Sequence, residues 1–71
     1  MNAAEAALTA REYFYGVCGT VPDIGFETVN ITHFDFDEWE VECKVFDMLT
    51  STMVRYRVAI SDDEVESIRR I

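Results

Sequence analysis

Apolar and charged residues alternate through Trp39-Glu40-Val41-Glu42-Cys43-Lys44-Val45, the pattern of a half-buried strand. Trp39, Val41, Cys43 and Val45 fall on one face, and Glu40, Glu42 and Lys44 fall on the other. The same period recurs from Met53 to Ile60, where Val54, Tyr56, Val58 and Ile60 share a face and Arg55 and Arg57 share the opposite one. A third run, residues 26–34, is rich in β-branched residues, with Val29 and Ile31 alternating with Thr28, Asn30 and Thr32. Asp35-Phe36-Asp37-Glu38 predicts a tight turn between the first two strands, and so an antiparallel hairpin. Residues 47–52 predict a longer connection to the third strand. Glu40 and Glu42 are expected to share the solvent face with Arg55 and Arg57, where opposite charges fix register more than they add stability.

Ahead of the strands, residues 2–18 predict a helix. Asn2 suits the N-cap, Ala3, Ala4, Ala6, Ala7 and Ala10 favour helix, and Glu5 complements the dipole in the first turn. Ala3, Ala7, Ala10, Phe14 and Val17 recur at helical spacing as a stripe flanked by Leu8 and Tyr13. Its small first half allows close approach to a sheet. Gly19 suits the position after the helix, and Thr20-Val21-Pro22-Asp23 ends it.

Two patterns compete in the last stretch. Ser61-Asp62-Asp63-Glu64 has the form of a capping box, and Val65, Ile68 and Ile71 follow at three-residue spacing, with acidic residues first and Arg69 and Arg70 last. A turn at Asp62-Asp63 followed by a strand from Val65 to Arg70 is the other reading. A two-residue hairpin turn prefers a Gly that is missing here, so these rules favour the helix. The expected fold is α+β: residues 1–71 form a single domain in which an N-terminal helix packs on a three- to four-stranded antiparallel β-meander, with a short C-terminal helix or strand.

Seventy-one residues bury a small core, although one Trp, three Tyr and five Phe raise the area buried per residue. The net charge of −8, from 14 acidic and 6 basic residues, sets the chain against phosphate, so neither nucleic acid nor an anionic membrane is an expected partner. Cys18 and Cys43 are too few for a disulfide framework and lack metal-ligand spacing. The first residues lack the basic and apolar regions of a signal peptide, and no apolar run reaches the length of a membrane span. A cytoplasmic protein with reduced thiols is expected.

Asp35, Asp37, Glu38, Glu40 and Glu42 are the densest acidic group. They lack the Gly and the distal Glu of a calcium loop, and strand alternation spreads them, so a solvated face paired with arginines is expected over a metal site. His33 is the only histidine and has no nucleophile or orienting group assigned to it by pattern. Cys18 sits at a helix end that does not lower a thiol pKa, and Cys43 alternates with core residues. No nucleophile elbow, phosphate loop or zinc-protease motif occurs. The expectation is a non-enzymatic protein without cofactor or metal.

Ala10-Arg11-Glu12-Tyr13-Phe14, Cys18-Gly19, Trp39-Glu40-Val41-Glu42, Tyr56-Arg57-Val58, Asp62-Asp63-Glu64 and Arg69-Arg70 resemble the gas vesicle synthesis protein of the O type. The order of elements is also similar to that of small PepSY-like domains, in which one helix covers an antiparallel sheet. In both, the last segment is a strand, against the capping-box reading, and this chain lacks the Gly usual in the last turn. The resemblance implies an accessory that works by contact with other proteins, and it carries over no catalytic residue.

Function is therefore expected to lie in protein contact. Phe26, Phe34, Phe36, Phe46, Met48 and Leu49 exceed what one helix can cover, and Phe46 falls on the charged face. The candidate contact residues are Phe36, Phe46, Met48 and Leu49, with Glu40, Glu42, Arg55 and Arg57 around them, or else an exposed sheet edge. The expected partner is a protein, a second copy of the chain included. One alternative is an acidic inhibitor that mimics nucleic acid and blocks a basic protein, which requires carboxylates without arginine neighbours. Another is a small ligand-binding domain or enzyme, which requires a pocket near His33 or Cys18.

Overall fold

Asn2 and Glu5 cap the first helix reciprocally. The Glu5 amide donates to Asn2 Oδ1 at 2.9 Å and the Asn2 amide donates to Glu5 Oε1 at 3.1 Å, so two backbone donors that lack intrahelical partners are satisfied. A computed structural model describes residues 1–18 and 24–71. Helix α1 spans Ala3–Cys18, followed by β1 (Ile24–Asp35), β2 (Glu38–Asp47), β3 (Thr52–Ser61) and β4 (Glu64–Arg70). The four strands form one antiparallel sheet in the order β1-β2-β3-β4, the α+β meander expected from the periodicity.

One sheet face packs against the helix. Ala6, Ala10, Phe14, Trp39, Val41, Cys43, Val58 and Ile60 form the buried core. Phe26, Ile31, Val45, Tyr56, Val65 and Ile68 pack around it, partly exposed. The alternating faces of β2 and β3 are thus as expected from the sequence. The helical stripe is rotated from expectation. It runs Ala6, Ala10, Phe14, at four-residue spacing, while Ala3 is exposed and Ala7 half-buried. Phe14 decides the rotation: its ring lies 5.7 Å from that of Phe26 on β1 and 5.1 Å from that of Tyr56 on β3. The helix turns to seat this aromatic ring, and Ala6 and Ala10 follow. The expected roles of the Val17 side chain, Gly19 and residues 20–23 lie outside the described residues.

The last segment is a strand, not the helix that its capping box favoured. Asp62 and Asp63 occupy left-handed backbone conformations, with φ of 52° and 63°, and they join β3 to β4 as a two-residue hairpin turn. Asp tolerates this region better than most residues with a Cβ, so the missing Gly does not prevent the turn. Val65 and Ile68 then cover Ile60 and Val58, apolar burial that a solvent-facing helix would forgo. Glu66, between two register positions, makes the irregularity that brings both to the core face.

Two further irregularities shape β1. Register shifts fall between Thr28 and Asn30 and between His33 and Asp35. Val29, expected to alternate regularly with Thr28 and Asn30, is instead the extra residue of a bulge and is exposed, while Thr28 pairs with Cys43 and Ile31 with Val41. β2 and β3 pair without interruption from Glu38↔Ser61 to Asp47↔Thr52.

Candidate protein interface

The helix covers one side of the sheet, and among the described residues no element covers the other. Its composition follows from register. Across β1, β2, β3 and β4, one row holds Asn30, Glu42, Arg57 and Arg69, and the next towards the β2–β3 turn holds Glu27, Lys44 and Arg55. Pairing continues past the last strand: the Ile71 amide donates to the Arg55 carbonyl at 2.9 Å. The row nearest the turn is Gly25, Phe46 and Met53.

This face is therefore divided. Its centre is charged. Arg57 Nε lies 3.8 Å from an oxygen of Glu40 and 3.8 Å from one of Glu42, distances that join the three charges without close hydrogen bonds. The expected grouping of Glu40 and Glu42 with arginines holds for Arg57. Arg55 departs from it, because uninterrupted pairing sets it opposite Lys44. Such half-exposed pairs add little stability, about 0–1 kcal/mol each.

The end of the face near the β2–β3 turn is apolar. Phe46 is 40% exposed and Met53 53%. Together with Gly25, Phe26, Glu27 and Lys44 they line an open groove of about 300 Å³. Gly25 leaves one side of the groove open, where a Cβ would sit in van der Waals contact with the Phe46 Cβ at 3.8 Å. The β2–β3 turn itself exposes Met48 and Leu49, at 53% and 74%. Asp47 holds that turn, accepting from the Leu49 amide at 2.9 Å and the Thr50 amide at 3.4 Å, and Ser51 closes it with a φ of 55°.

Phe36 lies elsewhere. It is 87% exposed at the tip of the β1–β2 turn, at the opposite end from Phe46, so the structure separates it from the other candidates. Phe34 is also exposed, whereas Phe26 is partly buried against the core. The β1–β2 and β3–β4 turns meet there, where the Asp62 amide donates to the Asp37 carbonyl at 3.1 Å. A second groove, lined by Asp35, Phe36, Asp37, Glu38, Ser61 and Asp62, is acidic. Among the described residues no group of three or more His, Cys, Asp or Glu side chains is gathered to hold a metal ion.

Compared with protein-family models, curated proteins and solved structures, the chain matches none. No helix among the described residues is long and apolar enough to cross a membrane.

Two features of the core bear on chemistry. Cys43 is fully buried and unpaired with another thiol. Its Sγ lies 3.8 Å from the Tyr56 carbonyl, to which the thiol donates. Burial, with the nearby Glu42 carboxylate adding to it, pushes the thiol pKa up to about 11, the reverse of what a nucleophile needs. His33 lies flat on the indole of Trp39, and its Nε2 is 3.4 Å from the Phe36 carbonyl. It lines neither groove. Sequence reasoning missed Met53 and Lys44 as neighbours of Phe46. The odd–even alternation of β3 held the signal for Met53, which shares parity with Arg55 and Arg57.

Proposed function

We propose that the chain is a non-enzymatic, cytoplasmic interaction module that docks a protein partner on the open face of its sheet. The observation that carries this reading is the exposed pair Phe46 and Met53 on the side the helix leaves bare, next to a β2–β3 turn that exposes Met48 and Leu49. Exposed apolar clusters rimmed by charge mark contact surfaces. The face is favoured over the sheet edges because both outer strands carry bulges, at Val29 and Phe34 on β1 and at Glu66 on β4, and bulged edges are poor templates for strand addition. Such a role agrees with the accessory, assembly-type activity that the O-type gas vesicle resemblance implies.

The acidic-mimic reading is less well supported. Lys44, Arg55, Arg57 and Arg69, four of the six basic residues, share the open face, so that face does not present a run of carboxylates. A small enzyme is less well supported too, since His33 faces an aromatic ring and Cys43 is buried.

The test is capture of partner proteins by the wild-type chain and by Phe46→Glu/Met53→Glu, washed at low and high salt. Retention by the wild type through high salt, with loss in the variant, is the expected outcome. Equal capture by both chains, or release of every partner by modest salt, would count against the apolar face.

A further inference from the structure

We infer that the open face is occupied by the open face of a second copy of this chain, in a two-fold dimer whose axis runs along the strands between β2 and β3. The inference deepens the reading above by naming the partner, and it rests on that reading.

A two-fold axis parallel to the strands preserves each residue's height along the sheet and exchanges β2 with β3. Each β2 residue then comes to lie over its own cross-strand partner from the other copy. Glu42 pairs with Arg57 within one sheet, so Glu42 of each copy faces Arg57 of the other. Two in-plane ion pairs become a ring of four alternating charges. Phe46 pairs with Met53, so the same operation gathers two phenylalanines and two methionines into one apolar layer. The face is thus complementary to itself in both charge and hydrophobicity. A two-fold axis across the strands fails this test, because it would turn Phe46 towards Glu38 at the carboxylate-rich end.

Size and shape agree. Four strands about 4.8 Å apart and ten residues long at about 3.3 Å per residue offer on the order of 600 Å² per copy. The roughly 1,200 Å² buried in total lies at the lower end of specific interfaces. Aligned sheets cross at about −30°, so side chains near the axis keep their partners and the Phe46/Met53 layer packs as a cluster. Burying this face also gives a 71-residue chain a second apolar layer, which its small core lacks.

One row opposes the dimer. Lys44 pairs with Arg55, so the same axis brings four cations together, moderated by Glu27 beside Lys44. The dimer is therefore weak, and this row supplies a test that an unrelated partner would not satisfy.

Sedimentation equilibrium of the full chain from low micromolar to millimolar concentration should show a reversible monomer–dimer transition, with circular dichroism confirming that each variant is folded. Phe46→Glu should weaken dimerisation by at least about tenfold by placing carboxylates in the apolar layer. Lys44→Glu should tighten it by about tenfold, because the four-cation row becomes alternating. The double exchange Glu42→Arg/Arg57→Glu should leave the dimer in place, since the ring alternates either way. A wild-type chain that stays monomeric to millimolar concentration overturns the inference, as does a dimer indifferent to Phe46→Glu or weakened by Lys44→Glu. A monomeric chain whose capture of another protein is abolished by Phe46→Glu would overturn the second-copy assignment and leave the docking face standing. Monomers whose capture of other proteins is also unchanged by Phe46→Glu would sink both.

Discussion

His33 stacks on Trp39 across the β1–β2 pair, with ring centroids 3.9 Å apart and ring planes 4° from parallel. The exposed imidazole forms a lid over an indole that is otherwise buried by the core. Among the described residues the indole Nε1 has no hydrogen-bond partner, so the ring is held by stacking and burial.

Trp39 is the only tryptophan, so its emission reports on this contact. The stacked imidazole shields one face of the indole from water. His33→Ala should expose that face and shift the emission to longer wavelength. Unchanged emission in the variant would show that the core alone shields the indole.

Cys43 sets an alkaline limit on stability. Its folded pKa, about 11, is raised above the ordinary thiol value of 9.0. The folded state therefore holds its proton where the unfolded chain releases it. The contribution is fully present below pH 9 and is lost as pH rises towards 11, at no more than about 1.4 kcal/mol per pH unit. Urea titrations at a series of pH values should show this loss, and Cys43→Val should flatten it. For the same reason the thiol should react with a disulfide reagent only through opening of the fold, in a Cys18→Ser background that isolates its signal.

Phe14 joins the helix to two strands, through Phe26 and Tyr56. Phe14→Ala should cost about 3–5 kcal/mol, from lost burial and the cavity left behind. Ala10 has no exposed surface, and Ala10→Leu should cost about 1–3 kcal/mol by forcing the helix off the sheet. Exposed Leu8→Ala should stay within about 0.5 kcal/mol. Chemical denaturation separates the three, and a mild Ala10→Leu would mean that the helix sits less closely than the structure shows.

The β3–β4 turn offers a test of its own. Asp62 and Asp63 both have positive φ, so Asp62→Asn/Asp63→Gly should raise stability by about 0.5–1 kcal/mol. Ser61→Ala should change little. A helix capped at Ser61 would respond in the opposite sense, losing about 1 kcal/mol with Ser61→Ala.

Much of this architecture is legible in the chain because β2 and β3 alternate without interruption and bury one face. Trp39, Val41, Cys43, Val58 and Ile60 could be placed from parity alone. What escaped were the positions where parity breaks. An undisturbed hairpin register would set Phe34 across from Trp39. The irregularity next to Phe34 sets His33 there instead, and no local propensity marks it. The bulge at Val29 likewise moves a β-branched residue out of the core. The tail satisfied two local rules at once, capping box and hairpin, and only burial of Val65 and Ile68 against Val58 and Ile60 decided between them. For the candidate interface, the charged and apolar residues could be named from the sequence. Their division into rows depended on the β2–β3 register, which separated Arg55 from the glutamates and Phe36 from Phe46.

Strand order has a kinetic consequence. Every strand lies beside its neighbour in sequence, and the β1–β2 and β3–β4 turns each span two residues. Each pairing step therefore closes only a short loop, and chains whose contacts are local in sequence fold rapidly. The two central strands can assemble before α1 docks, leaving closure of the helix on Phe26 and Tyr56 as a late event. Stopped-flow measurements should then give Val41→Ala and Val58→Ala effects mainly on the folding rate, and Phe14→Leu effects mainly on the unfolding rate. The meander would act as the nucleus and the helix as the latch that slows its release.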